Sequence, residues 1–389
     1  MFSSSNAHIE ILIDSQDVIL RGSEAEAAGA LLRGKLVMVL DEPMKVKSVT
    51  LQCNGKMKVE WKEAKDKSHQ VYLLFREEKT VLEHEWVFLE PHRYHNLAKG
   101  KYSWDFELRI PGSIPETVET NRGANVWYRL KAVVERPSLF SNLVAKLPLR
   151  VVRVPVIGSN ELTQSILYEN QWKDKVAYEI DLPLNTYELG GKIPITLRLT
   201  MLCQELRVKN IACTLTERIT MRAQNNSHTV ELVLRVVEVD PSRFLQISSC
   251  KSWEQTLEVN IPTASKYAHY DCTISLIRIR HELNFFITLQ NKDKLCSQIC
   301  VSLPISIIAR TEELCGELPS YDESFGTLPY YPSATETPLY SLGEQTVEQP
   351  QERPIRPYDH NILMRLPSYR TAIQEAPISF PLENIPGYS

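Results

Sequence analysis

Apolar and polar residues alternate with a period of two through most of the first 310 positions of the chain. That period is the mark of strands with one face buried. Between Lys45 and Trp61, the residues Val49, Leu51 and Cys53 share one face, with Lys45 and Lys47 on the same parity just before them. The alternation continues in Val71–Phe75, Tyr102–Ile110, Val126–Val134 and Leu149–Val154, and Gly29–Leu40 is more continuously apolar. Asn54-Gly55, Lys99-Gly100 and Pro111-Gly112 carry turn chemistry. Ile157–Gln171 is polar and breaks the pattern, as a joint between domains would. Strand signals resume in Val176–Leu182, Ile193–Cys203, Val208–Thr220, Thr229–Val239, Thr256–Ile261, Thr273–Ile279, Phe285–Leu289 and Ile299–Ala309. Asn225-Asn226-Ser227 and Asn291-Lys292-Asp293 read as hairpin ends, and only Leu139–Val144 resembles a short helical turn. The pattern predicts an all-β chain: two tandem antiparallel β-sandwiches over 1–156 and 157–310, then a disordered tail over 311–389.

Composition sharpens the last boundary. The chain has 389 residues, with 44 Lys+Arg against 48 Asp+Glu and a net charge of −4. Residues 311–389 hold four Arg, no Lys and twelve Asp+Glu, a net of −8, and eleven of the 23 prolines. The body therefore keeps 40 basic and 36 acidic side chains, a net of +4. A mildly acidic chain is not expected to bind nucleic acid. With no run of 18 apolar residues and no apolar stretch near Met1, neither a membrane span nor a signal peptide is expected. Eight scattered cysteines are expected as reduced thiols, and the chain as a soluble intracellular protein.

The sequence holds no recognisable catalytic constellation. His84-Glu85 and His281-Glu282 would each need a second histidine four places after the first, where Phe88 and Phe285 stand. His92 and His95 lie in a loop-like stretch, and Cys296 and Cys300 have no second cysteine pair at zinc spacing. The serine-nucleophile elbow, the phosphate-binding loop and the dinucleotide glycine motif are all missing from the sequence. No enzyme, cofactor or metal is expected.

The tail carries the clearest motifs. Leu318-Pro319-Ser320-Tyr321 is repeated as Leu366-Pro367-Ser368-Tyr369, and Leu328-Pro329-Tyr330-Tyr331 is a weaker third copy because Pro332 follows it. Proline presets φ near −65°, so each segment favours the polyproline II form that WW domains dock in aromatic-lined grooves. The tyrosine then supplies a rigid anchor at low ordering cost. The two copies match the L/P-P-x-Y class of PY motifs, read by WW domains of HECT-type ubiquitin ligases. Tyr321 and Tyr369 stand 48 positions apart, which a flexible chain spans over roughly 35–40 Å, enough for two neighbouring WW domains.

Taken in order, several strings of the body resemble the α-arrestins, the arrestin-related trafficking adaptors. They are Leu31–Val39, Pro43–Leu51, Gly100–Glu116 and Val126–Ala132 in the first half, and Leu189–Ile195, Arg207–Ile211 and Leu303–Ile307 in the second. The resemblance implies two arrestin-like domains. It also implies an adaptor that brings a HECT-type ligase to plasma-membrane transporters or receptors for ubiquitylation and endocytosis. Such a protein would be cytoplasmic and recruited peripherally to plasma membrane and endosomes. The motifs here are LPxY throughout, never PPxY. A cargo-sorting coat subunit of the retromer kind shares the fold, but it leaves the tail motifs unexplained.

One surface reading remains. Lys45, Lys47, Lys56, Lys58, Lys62, Lys65 and Lys67 cluster with few acids between them. Lys56, Lys58 and Lys62 are therefore candidates for contact with an anionic membrane, at about 1 kcal/mol per lysine near the surface. The plainer alternative is a solvated sandwich face.

Overall fold

The structure is a computed structural model that describes residues 7–65, 71–154, 164–203, 205–239, 252–263 and 268–309. Every regular element among them is a strand. The first half forms β1 (Ala7–Ile13), β2 (Asp17–Arg21), β3 (Ala30–Leu40), β4 (Met44–Val46), β5 (Ser48–Ala64), β6 (Tyr72–Leu89), β7 (His95–Leu97), β8 (Gly100–Ile110), β9 (Val118–Glu119), β10 (Ala124–Glu135) and β11 (Leu143–Val154). The second half forms β12 (Ile166–Trp172), β13 (Val176–Leu182), β14 (Thr186–Glu188), β15 (Lys192–Met201), β16 (Leu206–Ala223), β17 (Asn226–Val239), β18 (Ser252–Asn260), β19 (Cys272–Thr273), β20 (Ile277–Asn291) and β21 (Cys296–Ile308).

The strands assemble into two sandwiches of the same plan. In the first, a three-stranded sheet β1-β3-β8 faces β2-β11-β10-β5-β6, with β9 added on β10. In the second, β12-β13-β15-β18 faces β14-β21-β20-β16-β17, with β19 added on β20. Each larger sheet holds one parallel pair, β2 with β11 and β14 with β21, while the other ladders are antiparallel. The period-two pattern is what fills the cores. Val126, Tyr128, Leu130, Ala132 and Val134 of β10 point inward against Leu36, Met38 and Phe106 of the opposite sheet. Ile211, Cys213 and Leu215 of β16 do the same against Ile180, Ile195 and Leu197.

The sandwiches are joined by more than their connection. β16 buries its first half in the second core, but Ile219, Met221 and Ala223 from its last turns of alternation lie in the first core. Ile274, Leu276, Ile277 and Ile279 accompany them. The β16–β17 hairpin thus reaches over the first sandwich, where His228 stacks on Trp61 with centroids 5.8 Å apart. Its turn residues Gln224 and Asn225 have φ of 52° and 64°, one place earlier than the sequence signal at Asn225-Asn226-Ser227. The Gln224 backbone N–H donates to Glu77 Oε2 at 3.0 Å.

Three expectations differ from what forms. Asn54-Gly55 is no turn but the middle of β5. The glycine is there because the Tyr128 ring on the neighbouring strand lies against it; a Cβ would fall 2.4 Å from that ring. Leu139–Val144 is no helical turn: Pro137–Phe140 closes one tight turn, with Phe140 N–H on Pro137 C=O at 2.9 Å, and β11 starts at Leu143. Too few residues separate β10 from β11 for a helix to nucleate. Of the polar joint Ile157–Gln171, the part from Ile166 onward is β12, paired with β13. It is an edge strand with mostly exposed positions, which is why its alternation is weak. No helix among the described residues is long and apolar enough to cross a membrane.

Candidate functional site

The tail motifs Leu318–Tyr321, Leu366–Tyr369 and Leu328–Tyr331 lie outside the described residues. The candidate sites that can be built in three dimensions are therefore in the body.

Lys56, Lys58 and Lys62 do share the outward face of β5, because their even numbering opposes the buried Met57, Val59 and Trp61. Their charges are not left alone. Lys56 Nζ lies 2.6 Å from Glu78 on β6, Lys58 Nζ lies 2.8 Å from Glu60, and Arg76 joins both carboxylates. The hydrogen bond from Lys56 holds the Glu78 carboxyl below its ordinary range, and that from Lys58 does the same for Glu60. Lys62 is exposed, and Lys67 falls outside the described residues. One of these acids, Glu60, lies on β5 itself, and the other, Glu78, comes from the next strand, which a count of charges along β5 does not include.

The histidine pairs are accounted for structurally. His84 meets Trp86 edge-on with centroids 4.4 Å apart, and His95 Nε2 lies 3.0 Å from Glu90 C=O. Among the described residues no group of three or more His, Cys, Asp or Glu is placed to hold a metal ion. Cys53 and Cys213 are buried free thiols, and burial pushes them up to about 11 and about 12.

His281 belongs to a cluster that local motif reading does not reach. On β16, Glu217 is fully buried where the strand passes from one core to the other. Its carboxylate lies 3.0 Å from His269 Nδ1 and 3.2 Å from His281 Nε2, and it accepts the His269 backbone N–H at 2.7 Å. His281 Nδ1 lies 2.6 Å from Asp271 Oδ1, which also accepts the Ile307 backbone N–H at 3.0 Å. Both ring nitrogens of His281 thus face carboxylate oxygens, which only accept, so the ring carries both protons. Burial pushes the His281 pKa down, but the hydrogen bonds to Asp271 and Glu217 outweigh it and raise it. Burial likewise pushes Glu217 up, but the hydrogen bonds from His269 and His281 outweigh it and hold the carboxyl down at about 2.

This cluster ties the sandwiches together. His269 Nε2 lies 3.1 Å from the Glu119 carbonyl on β9 of the first sandwich. Beside it, Arg150 of β11 donates to the Tyr270 hydroxyl at 2.9 Å. A few residues along β11, Arg153 donates to the carbonyls of Gly22, Gly112 and Ile114 at 2.8–2.9 Å. It also faces the buried Glu116 at 3.4 Å. Chemically the arrangement is a set of charged braces: among the described residues no hydroxyl or thiol nucleophile is bonded to either histidine, and both rings are held by acceptors. Two isolated signals existed in the sequence, Glu217 on the otherwise apolar odd positions of Ile211–Met221 and His281 within an apolar alternation, but neither named its partner.

Each half is a two-layered sandwich of facing sheets, and sequence comparison places both halves in one family. Residues 21–154 match the arrestin N-terminal domain and residues 172–311 match the arrestin C-terminal domain. An arrestin domain-containing protein of Schizosaccharomyces pombe is 30% identical over 345 residues, covering 85% of this chain and 57% of its own length. The probable HECT-type ubiquitin ligase-interacting protein creD of Aspergillus terreus is 28% identical over 319 residues, covering 78% of this chain and 55% of its own. Its namesake in Aspergillus fumigatus is 29% identical over 313 residues, covering 77% and 52%. The chain belongs to the arrestin family, and within it to the α-arrestins. It spans a little over half the length of these curated relatives.

Proposed function

We propose that this chain is an adaptor, without catalytic activity of its own, that recruits a HECT-type ubiquitin ligase to membrane transporters or receptors. In this reading the WW domains of the ligase bind Leu318–Tyr321 and Leu366–Tyr369, with Leu328–Tyr331 as a weaker site, and the two sandwiches present the cargo. Ubiquitylation and endocytosis of the cargo follow, with the adaptor moving between cytoplasm, plasma membrane and endosomes. The observation that carries the reading is the repeated LPSY in an acidic, lysine-free segment. The relatives named as HECT-type ligase-interacting proteins support it.

The test is co-purification of the full chain with a tandem WW-domain fragment of such a ligase. Tyr321→Ala and Tyr369→Ala should each weaken capture, and the double variant should abolish it, because avidity is lost with the second motif. Undiminished capture by the double variant refutes the assignment of these two motifs.

A further inference from the structure

On the outward face of β5 Lys56 and Lys58 have carboxylate partners, but the cations of the neighbouring hairpin do not. On β10 the outward residues include Arg129 and Lys131, and on β11 they include Lys146. Lys131 and Lys146 stand directly opposite each other in the ladder. Like charges in that position are destabilising unless something anionic lies over them. Among the described residues, none of these three cations has a carboxylate within 4 Å. On the β5 side, the residue opposite Lys131 is Gln52, which keeps Glu85 to itself at 3.0 Å.

The same hairpin ends in an apolar tip. Leu139 is 93% exposed and Phe140 57% exposed. Val144, at the start of β11, is also exposed. The tip is preformed: the Arg136 backbone N–H bonds Asn142 Oδ1 at 3.1 Å, Phe140 N–H bonds Pro137 C=O, and the Arg136 guanidinium covers one face of the Phe140 ring at 4.8 Å. The neighbouring end of the sandwich repeats the chemistry, with exposed Tyr94 under Lys45 Nζ at 4.4 Å.

We infer that the β10–β11 hairpin is a membrane-docking surface for an anionic phospholipid bilayer. Leu139 and Phe140 enter the interface, and Arg129, Lys131 and Lys146 lie over headgroups when the hairpin rests obliquely on the surface. Exposed apolar side chains at a preformed tip, backed by cations without a carboxylate partner (Arg129 lies over the Trp127 ring at 5.0 Å), have the two features interfacial binding requires: apolar area to bury and charge to attract anionic lipid. This goes beyond the adaptor reading by naming the surface that reaches the membrane. It needs neither ligase nor cargo, so its failure leaves that reading standing.

The test is sedimentation of the full chain with phosphatidylcholine vesicles, with and without phosphatidylserine, over a range of salt. The wild type should bind the phosphatidylserine vesicles and weaken as salt rises. Leu139→Asp with Phe140→Asp, at positions whose exposure spares the core, should lower affinity about tenfold or more, the scale expected for losing two buried apolar side chains. Lys131→Gln with Lys146→Gln should lower it too and flatten the salt dependence. Lys56, Lys58 and Lys62 changed together to Gln should leave binding intact. Equal binding by the tip variant, loss of binding in the β5 variant, or no vesicle binding by the wild type would each overturn the inference; capture of an acidic cytosolic peptide instead would give the hairpin to a protein partner.

Discussion

Replacing Glu217 by Gln tests the brace between the sandwiches most directly. The side chain is fully buried, and its carboxyl is held at about 2 against an ordinary value of 4.5. At 1.36 kcal/mol per unit, that depression corresponds to roughly 3 kcal/mol of folded-state stabilisation at neutral pH. Glutamine keeps the size and one acceptor oxygen, so what is lost is the charge facing His269 and His281. Removing one partner of a buried charged set costs about 3–5 kcal/mol in other proteins, which brackets the same figure. For a body of this size, the melting temperature should fall by about 5–10 °C.

The pH dependence carries the sharper information. A depressed carboxylate contributes fully above its unfolded value near 4.5 and loses its contribution as pH falls towards 2. The raised His281 contributes below its unfolded value near 6.5 and loses its contribution as pH climbs through the raised folded value. Urea unfolding of the full chain, followed by tryptophan fluorescence, should therefore show the widest gap between wild type and Glu217→Gln at about pH 5–6.5. The gap should close towards pH 2 and narrow again in alkali. A gap that stays constant from pH 3 to 9, or no gap at pH 6, would refute the ionised brace and leave Glu217 as a packing residue only.

Arg153→Lys should destabilise the chain by about 2–4 kcal/mol at neutral pH in the same assay. A point-charge ammonium cannot reach three carbonyls and Glu116 as the guanidinium fork does; a change under about 0.5 kcal/mol would contradict that role. When ligase is present in cells, ubiquitin remnants should map to body lysines, with Lys173, Lys175 and Lys192 among the candidates, because residues 311–389 contain no lysine. Mass spectrometry that recovers the full chain without a remnant on any lysine, while the ligase co-purifies, counts against ubiquitylation of this chain by the ligase.

Much of the architecture is legible without coordinates. Period-two alternation is a property of each strand alone, since neighbouring side chains point to opposite faces. That is why runs such as Val126–Val134 and Val176–Leu182 are visible one segment at a time. The proposed tail motifs are legible for a related reason: the chemistry proposed for each is confined to four consecutive residues. Edge strands are where legibility fades. β12 and β6 present few buried positions, so the pattern that hydrophobic burial writes into a central strand is faint in them.

What only the tertiary structure decides is which distant groups meet. Glu217 finds His269 and His281 across 52 and 64 positions, and Lys56 finds Glu78 across a hairpin of 22. Gly55 reads as a turn until Tyr128 is laid against it. These pairings depend on strand order and register, and a shift of one residue would turn every partner to the other face. A charge count along the chain therefore assigns the free cations to β5, whereas the fold pairs Lys56 and Lys58 there and leaves Arg129, Lys131 and Lys146 on the next hairpin without a carboxylate partner.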